Sequence, residues 1–442
     1  MKPRISIVIP THNRSGILVQ TLNSLAVQTV PADVYDVTVV ADGCRDDTAA
    51  RVRSLSLPYA LRLIEQSPRG AAAARNRGAA DVSSSLILFL DDDMEAMPGL
   101  IAAHLEAHAQ VRRGVVMGYF AAPRVSQPDD IFVKSIDLWW NDHFTELSSP
   151  VHRYTFRDVC TGNLSLPKEL FQAAGCFDES FLDKAGEDYE LGLRLLKMGS
   201  TFRFAPQAAS VHHYLPTIAR ARQRAFAEGR GHVLMARKHP ETFPALPLIQ
   251  GVEGGPWIQI VRRIRLRPWM LAALPPILTL PERVIRSLRF RRRWQRMFGL
   301  VLSCAYWRGV LCELGSYGEI VRFMNDMPLT PSNFVELELD LARDLKRMDA
   351  ILEDRPPDAV GIRYGARPIG WMEPEPGSEP LRPTHVRHAV ANRWGYDYLS
   401  ALLRQPLGQP RDPSEESLRR RIEGLGLPGE STGTSGKGTG IL

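Results

Sequence analysis

Four short apolar runs in the first ninety residues, three of them ending in a polar cluster, constrain this chain more than any other feature. Ile5-Ser6-Ile7-Val8-Ile9 stops at Pro10 and passes into Thr11-His12-Asn13. Val37-Thr38-Val39-Val40 is followed by Asp42-Gly43, Leu61 to Ile64 forms a third run, and Leu86-Ile87-Leu88-Phe89-Leu90 leads straight into Asp91-Asp92-Asp93. Short β-branched runs of this kind suit strands buried on both faces. Helical pattern fills the gaps: Ile17, Leu18, Leu22 and Leu25 over 15–28, a start near Asp46-Asp47-Thr48, and the small-residue stretch Gly70 to Ala80. The β-α-β-α-β-α-β order predicts a mostly parallel, doubly wound sheet with right-handed crossovers. In such sheets ligands bind outside the carboxyl ends of the strands, which is where the polar clusters fall.

A chain of 442 residues with net charge +6 exceeds a single core, so two or three units are expected. Residues 116–215 read as mixed, with a helix near 187–198 and a strand near 201–205. Residues 217–320 read as helical and Arg-rich. Over 262–296, Glu282 alone opposes a run that includes Arg262, Arg263, Arg265, Arg267, Arg289, Arg291, Arg292, Arg293 and Arg296. Leu337, Leu341, Leu345, Met348 and Leu352 predict an amphipathic helix over 333–353. A hairpin is expected around Tyr364-Gly365-Ala366-Arg367 and a further helix near 384–403. The glycine-rich end, Gly424 to Leu442, reads as disordered. The boundaries expected are therefore 1–215, 216–330, 331–405 and 406–442.

The five cysteines are odd in number and never spaced as CxxC, which disfavours a disulfide framework or a zinc site and fits a reducing compartment. The opening MKPRISIVIP is too short an apolar run for a secretory signal. No unbroken apolar run approaches the roughly 18 residues that span a bilayer.

Asp91, Asp92 and Asp93 repel one another, and a cation is the expected compensation. On an extended strand end, positions 91 and 93 face the same way and can share one divalent ion, with magnesium or manganese suited to such oxygen ligands. The plainer alternative is a solvated acidic turn. Glu187 and Asp188 open a helix after Gly186, where capping and the helix dipole also favour acids. Thr161-Gly162-Asn163 reads as a turn or a site element, and His212-His213 as ligands or packing residues.

Taken in order, Pro10-Thr11-His12-Asn13-Arg14, Asp42-Gly43 with Asp46-Asp47-Thr48, Gly70 with Ala74-Arg75-Asn76, Asp91-Asp92-Asp93, Gly162-Asn163, Gly186-Glu187-Asp188 and His212 resemble the family 2 glycosyltransferases of the GT-A fold. The resemblance covers roughly residues 4–215. It implies an α/β domain with a GT-A doubly wound, mostly parallel sheet; the pattern beyond it adds a basic helical region and a small α/β appendage. It implies an inverting, metal-dependent glycosyltransferase of hexosyltransferase type, moving a sugar from a nucleotide-sugar donor to an acceptor hydroxyl. Pro10, Thr11 and Asn13 would line the nucleotide pocket and Asp42 would hydrogen-bond the base. Arg75 would bind near the diphosphate or order the donor loop. Asp91 would lie near the ribose, with Asp92 a further substrate-binding residue. Asp93 would ligate Mn2+ or Mg2+ together with His212, or with His213 in its place. Asp188 would be the catalytic base, with Glu187 its neighbour. One departure is Ala41, where the family often has a second carboxylate before the aspartate.

The Arg-rich helical stretch suits helices lying on an anionic membrane surface, or a solvated face packed on the catalytic domain. Nucleic acid is disfavoured, because no recognisable binding signature accompanies the charge. Gln223-Arg224-Ala225-Phe226-Ala227-Glu228-Gly229-Arg230 resembles segments that follow the catalytic domain in some bacterial members of the family, which implies a glycan or lipid-linked acceptor of the cell envelope; the expected location is cytoplasmic, or peripheral on the inner face of the membrane. Two rival functions differ in chemistry. A non-catalytic nucleotide- or glycan-binding protein would not require Glu187 and Asp188. A sugar-phosphate nucleotidyltransferase is disfavoured because the first strand leads into Pro10-Thr11-His12-Asn13 instead of a Gly-rich loop. Trp139, Trp140 and His143 are candidates to stack on a sugar or simply to pack.

Overall fold

A computed structural model describes residues 2–111, 113–121, 131–214, 217–251, 284, 291–330 and 334–403. The expected strands and helices alternate from the start: β1 (Ile5–Thr11), α1 (Ser15–Leu25), β2 (Tyr35–Asp42), α2 (Thr48–Ser54), β3 (Ala60–Gln66), α3 (Gly70–Ala80) and β4 (Leu86–Leu90). Then come β5 (Met94–Ala96), α4 (Leu100–Ala109), β6 (Gly114–Ala121), α5 (Ile131–Leu147), β7 (Asn163–Pro167), α6 (Lys168–Ala173), α7 (Glu187–Lys197) and β8 (Thr201–His212).

The eight strands form one sheet in the order β3-β2-β1-β4-β7-β6-β8-β5. Four of its seven neighbour pairs are parallel, namely β1 with β2 and with β4, β2 with β3, and β6 with β8. This is the doubly wound, mostly parallel sheet that the strand and helix order predicted. The strand order reverses between β1 and β4, so the crevice at their carboxyl ends is the topological switch point. Strands β1 and β4 are almost wholly buried, because helices cover both faces. Gly78 lets α3 sit directly on the sheet: a Cβ there would lie 2.4 Å from Val8 Cγ1.

The antiparallel β7 is what sequence periodicity could not place in the sheet. Its Asn163 is a buried peg, with Nδ2 donating to Tyr119 O at 3.2 Å and Ala208 O at 2.8 Å, and Oδ1 2.8 Å from His104 Nε2. Ser165 Oγ continues the chain, 2.7 Å from His104 Nδ1 and 2.8 Å from His108 Nε2. Burial pushes both imidazoles down to about 4, so both are neutral at pH 7.

Beyond the sheet lie α8 (Ile218–Lys238), α9 (Arg291–Leu314) and α10 (Tyr317–Asn325). Much of the Arg-rich 262–296 stretch lies outside the described residues, as does the expected disordered tail. Helices α8 and α9 cross at two glycines. A Cβ at Gly229 would meet Tyr306 O at 2.1 Å, and one at Gly309 would meet Phe226 O at 2.1 Å. One finding departs from the sequence reading: Trp294–Leu314, with mean hydropathy 1.3, is long and apolar enough to cross a membrane by length and composition. Counting unbroken apolar residues missed it because Arg296, Arg308 and Glu313 interrupt the run. Within the protein 59% of that stretch is buried.

Among the described residues, those within 2–149, 154–330 and 376–379 form one compact unit, and those within 150–153, 334–375 and 380–403 a second. The second contains β9 (Glu336–Asp340), α11 (Leu341–Asp344), α12 (Met348–Asp354), β10 (Ala359–Tyr364), β11 (Arg367–Met372), α13 (Pro383–His388) and α14 (Gly395–Leu403). The hairpin expected around Gly365 is the β10–β11 pair. The helix expected over 333–353 is a strand in its first part. Glu336-Leu337-Glu338-Leu339-Asp340 alternates with period two and pairs in parallel with β10. Leu337 and Leu339 are the inward-facing pair of that strand, while Leu341, Leu345, Met348 and Leu352 follow on helical turns. Leu339, Leu352, Val360, Ile362 and Val386 form its core.

Candidate active site

The carboxyl ends of β1, β2 and β4 lie side by side and bring three loops together. Asn13, with φ +52°, turns the chain after β1. Its Oδ1 accepts from Arg45 N at 2.7 Å and Asp46 N at 3.3 Å, tying the first loop to the loop after β2. Thr11 Oγ1 donates to Asp92 Oδ2 at 2.7 Å, tying β1 to the end of β4. Asp42 is buried, and both its oxygens are used locally. Oδ1 accepts from Gln66 Nε2 and Arg69 N, and Oδ2 from Gly70 N, each at 2.8 Å. Asp42 therefore pins the β3–α3 loop and the start of α3. A nucleotide base would have to share a carboxylate that already has these partners. Pro10 lies on β1 beside them, half-buried.

The acidic triplet is a turn and not an extended end. Met94 N donates to Asp91 O at 3.2 Å, and Asp91 N donates to Gly162 O at 3.1 Å. That corrects the expectation that Asp91 and Asp93 share one ion. Asp91 Oδ1 pairs with Arg75 at 2.9 Å. Asp93 Oδ1 lies 3.3 Å from His212 Nε2, and its Oδ2 lies 2.6 Å from Arg14. Asp92 Oδ1 also pairs with Arg14, at 2.7 Å. The two histidines at the end of β8 have different neighbours. Met94 pairs with His212 across β5 and β8, which turns His212 towards Asp93. His213 points the other way, its Nε2 2.6 Å from Glu95.

Burial works against an ionised Asp93, but His212 and Arg14 outweigh it and hold the carboxyl down to about 2. Asp92 goes the other way: burial lifts it to about 7 despite Arg14 and the Thr11 hydroxyl. Asp93 and His212 offer one carboxylate oxygen and one imidazole nitrogen converging from two strands. That donor pair fits a divalent cation that takes the rest of its shell from substrate phosphates. Among the described residues no cluster of three or more such ligands exists.

Gly186, with φ +113°, starts α7 in a conformation that favours glycine. Glu187 and Asp188 follow in the first turn. Asp188 Oδ1 accepts from Tyr189 N at 2.9 Å. Burial, reinforced by the adjacent Glu187, pushes Asp188 up to about 7, against the opposing pull of the Tyr189 amide, Arg224 and Arg75. Arg75 joins the two acidic groups. It is buried, with NH1 3.0 Å from Glu187 and NH2 2.9 Å from Asp91. The guanidinium also sits over the Phe177 ring at 5.5 Å. The sequence suggested a diphosphate contact or loop-ordering role for Arg75; in the fold its terminal nitrogens brace α7 to the end of β4. Its buried Nε has no partner among the described residues.

Two features of the site escaped sequence reasoning. Arg14 was visible beside Asn13, and three adjacent carboxylates were the signal that a nearby cation should exist. Helix α8 gave no local signal. Ala185 N donates to Ala227 O at 3.2 Å, and a Cβ at Gly231 would lie 1.7 Å from Ala185 O. Helix α8 thus forms the wall behind the loop that leads into Glu187 and Asp188. On α5, Trp139 stacks on His143 with centroids 5.5 Å apart, and Trp140 packs on Phe120, which in turn meets the His212 ring at 5.5 Å. The aromatics therefore continue from the cation-side histidine to an exposed tryptophan.

Residues 6–175 match the family model described as glycosyl transferase family 2. Validoxylamine A glucosyltransferase of Streptomyces hygroscopicus subsp. jinggangensis (strain 5008) is 34% identical over 218 residues, 44% of this chain and 51% of the relative. Chondroitin synthase of Escherichia coli is 28% identical over 265 residues, 53% of this chain and 38% of the relative. The chain thus spans about half or less of the length of these relatives. A solved mannosyltransferase from Pyrobaculum calidifontis, in complex with GDP-Man and Mn2+, superposes with TM-score 0.46 and 18% identity, covering 71% of this chain and 88% of that one.

Proposed function

Residues 6–175 are a glycosyl transferase family 2 domain, and from that premise we propose that the protein is an inverting, divalent-metal-dependent glycosyltransferase acting on a nucleoside-diphosphate sugar. The observation that carries the reading is Arg75. Its two ion pairs hold Asp91, at the donor edge of the sheet, and Glu187, beside Asp188, in one buried unit.

In this reading Thr11, Asn13 and Asp42 order the loops that receive the nucleotide. Asp93 and His212 hold the cation, which when bound offsets the negative charge that grows on the departing nucleoside diphosphate. Asp188 takes the proton from the acceptor hydroxyl as that oxygen attacks the anomeric carbon. The bond from that carbon to the phosphate oxygen breaks on the opposite face, and the configuration inverts. A base poised near neutral pH is the efficient choice for this transfer, and burial beside Glu187 provides it. Arg75 and the Ala227 carbonyl keep Asp188 aimed while the acceptor enters.

The acceptor is a glycan or a lipid-linked sugar, in keeping with the chondroitin synthase among the relatives. The Arg-rich stretch supports a peripheral location on the cytoplasmic leaflet, where basic segments are attracted to anionic lipid. Sedimentation with anionic vesicles at moderate salt tests that location, and protein left in the supernatant rejects it.

The reaction class is tested by thermal unfolding against a nucleoside-diphosphate panel with and without Mn2+. Ligand at 100 times its dissociation constant stabilises by about 2.7 kcal/mol. One nucleoside diphosphate should raise the melting temperature, and the rise should vanish without metal and in Asp93→Ala. No shift with any nucleotide rejects the reading in favour of a non-catalytic protein on this fold. Release of pyrophosphate in place of a nucleoside diphosphate would instead identify a nucleotidyltransferase.

A further inference from the structure

Arg14 occupies a position that the proposed reaction leaves unexplained. It stands at the start of α1 and reaches across the crevice to the turn after β4. There NH1 pairs with Asp92 at 2.7 Å and NH2 with Asp93 at 2.6 Å. Each carboxylate is thereby divided between two partners. The second oxygen of Asp92 accepts from Thr11 Oγ1 at 2.7 Å, and the second oxygen of Asp93 faces His212 Nε2 at 3.3 Å. Both carboxylate side chains are 5% exposed, whereas Arg14 is 39% exposed. The guanidinium is thus the solvent-side group of the cluster, and the acids are its fixed base.

We propose that Arg14 is a built-in counter-ion that competes with the divalent cation for Asp92 and Asp93, so that cation and nucleoside diphosphate bind cooperatively. This rests on the metal-dependent reading of the site. A divalent cation brought to Asp93 meets a guanidinium already paired with the same carboxylate. Like charges repel at short range, and the burial of both carboxylates leaves that repulsion poorly screened. An incoming diphosphate changes the balance, because it offers Arg14 phosphate oxygens in exchange for carboxylate oxygens. Arginine is suited to that exchange, since its planar fork matches carboxylate and phosphate alike. The cation alone therefore binds weakly. The diphosphate strengthens cation binding, and by linkage the cation strengthens diphosphate binding by the same factor.

The test measures Mn2+ binding directly, from the loss of the free-ion electron paramagnetic resonance signal, for the full chain and for Arg14→Gln. Titrations are run with Mn2+ alone and with saturating UDP or GDP. In Arg14→Gln, Mn2+ alone should bind more tightly, by on the order of tenfold, within the usual range of coupling between sites. The enhancement by nucleoside diphosphate should shrink by a similar factor. Arg14→Lys keeps one positive charge but loses the fork, and it should fall between the two. It also serves should the glutamine variant fail to fold. Mn2+ affinity that is unchanged or weaker in both variants, with the nucleotide enhancement intact, overturns the counter-ion role while leaving metal dependence standing. Absence of Mn2+ binding by the wild-type chain, with and without either nucleotide, overturns the metal-dependent reading and this inference together.

Discussion

Two carboxyls of the candidate site, Asp93 and Asp188, sit in opposite electrostatic surroundings. At the end of β4, Asp93 lies between His212 and Arg14 and is held down to about 2. At the start of α7, the half-buried Asp188 stands next to Glu187 and is pushed up to about 7. Burial acts in the same direction on both carboxyls, so the neighbours decide the outcome: His212 and Arg14 beside one, an anion beside the other. A carboxylate that stays charged at every physiological pH is fit to hold a cation. One that titrates near neutrality is fit to take and release a proton. Environments that drive two acids apart in this way separate their roles, and Arg75 keeps the two environments in register.

The largest effect expected from breaking this contrast is on turnover. Asp188→Asn should lower kcat by about 10²- to 10⁴-fold while leaving nucleoside-diphosphate binding near normal by calorimetry. Asp93→Asn should do the reverse to binding, losing the metal-dependent part. Equal losses of binding in both variants would show that the two carboxyls do not divide the work.

Arg75→Met removes the buried cation shared by Asp91 and Glu187. Loss of one partner from a buried pair typically costs about 3–5 kcal/mol, measurable by denaturant unfolding. A cost below about 1 kcal/mol would mean that the brace is not structural.

The pH dependence sharpens the comparison further. Because the folded pKa of Asp188 is raised, kcat should climb as pH rises towards about 7 and level off above it. Below that point each step of one in pH costs about tenfold, as the base is protonated. Asp93 has a lowered folded pKa, so its contribution to stability is present above the ordinary carboxylate range. It is lost as pH falls towards about 2. Ionisation of this buried carboxyl between its cationic neighbours contributes about 2 kcal/mol to stability at neutral pH. Asp93→Asn should therefore flatten the acid limb of unfolding, and an unchanged limb would disprove the assignment.

Gly231→Ala forces a methyl group against Ala185 O. Overpacking of this kind costs about 1–3 kcal/mol, and the variant should lose kcat as well as stability, because Ala185 leads into the base. Smallest of all, Arg62→Ala removes an exposed pair with Asp81, both about half exposed. Such surface pairs are worth about 0–1 kcal/mol, and kcat should not change.

How much of this was legible depended on the range of the interaction. The strands β1 to β4 and the loops after them follow from local pattern, because a buried parallel strand must be a short apolar run and its polar end must face the crevice. Asp42, Asp91 and Asp93 could thus be named from local pattern, whereas Glu187, Asp188 and His212 took their roles from the family resemblance; the fold brings Asp93 to His212 and links Asp91 to Glu187 through Arg75. The turn at Asp91-Asp92-Asp93 was not legible, because it depends on Gly162, just before the antiparallel β7, arriving beside β4. Strand β9 was misread because Leu337 and Leu341 satisfy a helical spacing while Leu337 and Leu339 satisfy a strand spacing. Only the pairing with β10 decides between them. The place of α8 behind Ala185 rests on a backbone contact between segments about forty residues apart, and no composition or periodicity reports such a contact.

The Gly229–Gly309 crossing and the Gly231 contact have a practical consequence for modular exchange. The proposed base and the wall behind it both lie beyond the matched segment 6–175. A chimaera spliced after β8 would carry a complete sheet and an unsupported base. The natural junction for grafting this catalytic unit onto another chain lies after α10, where both crossing helices travel with it.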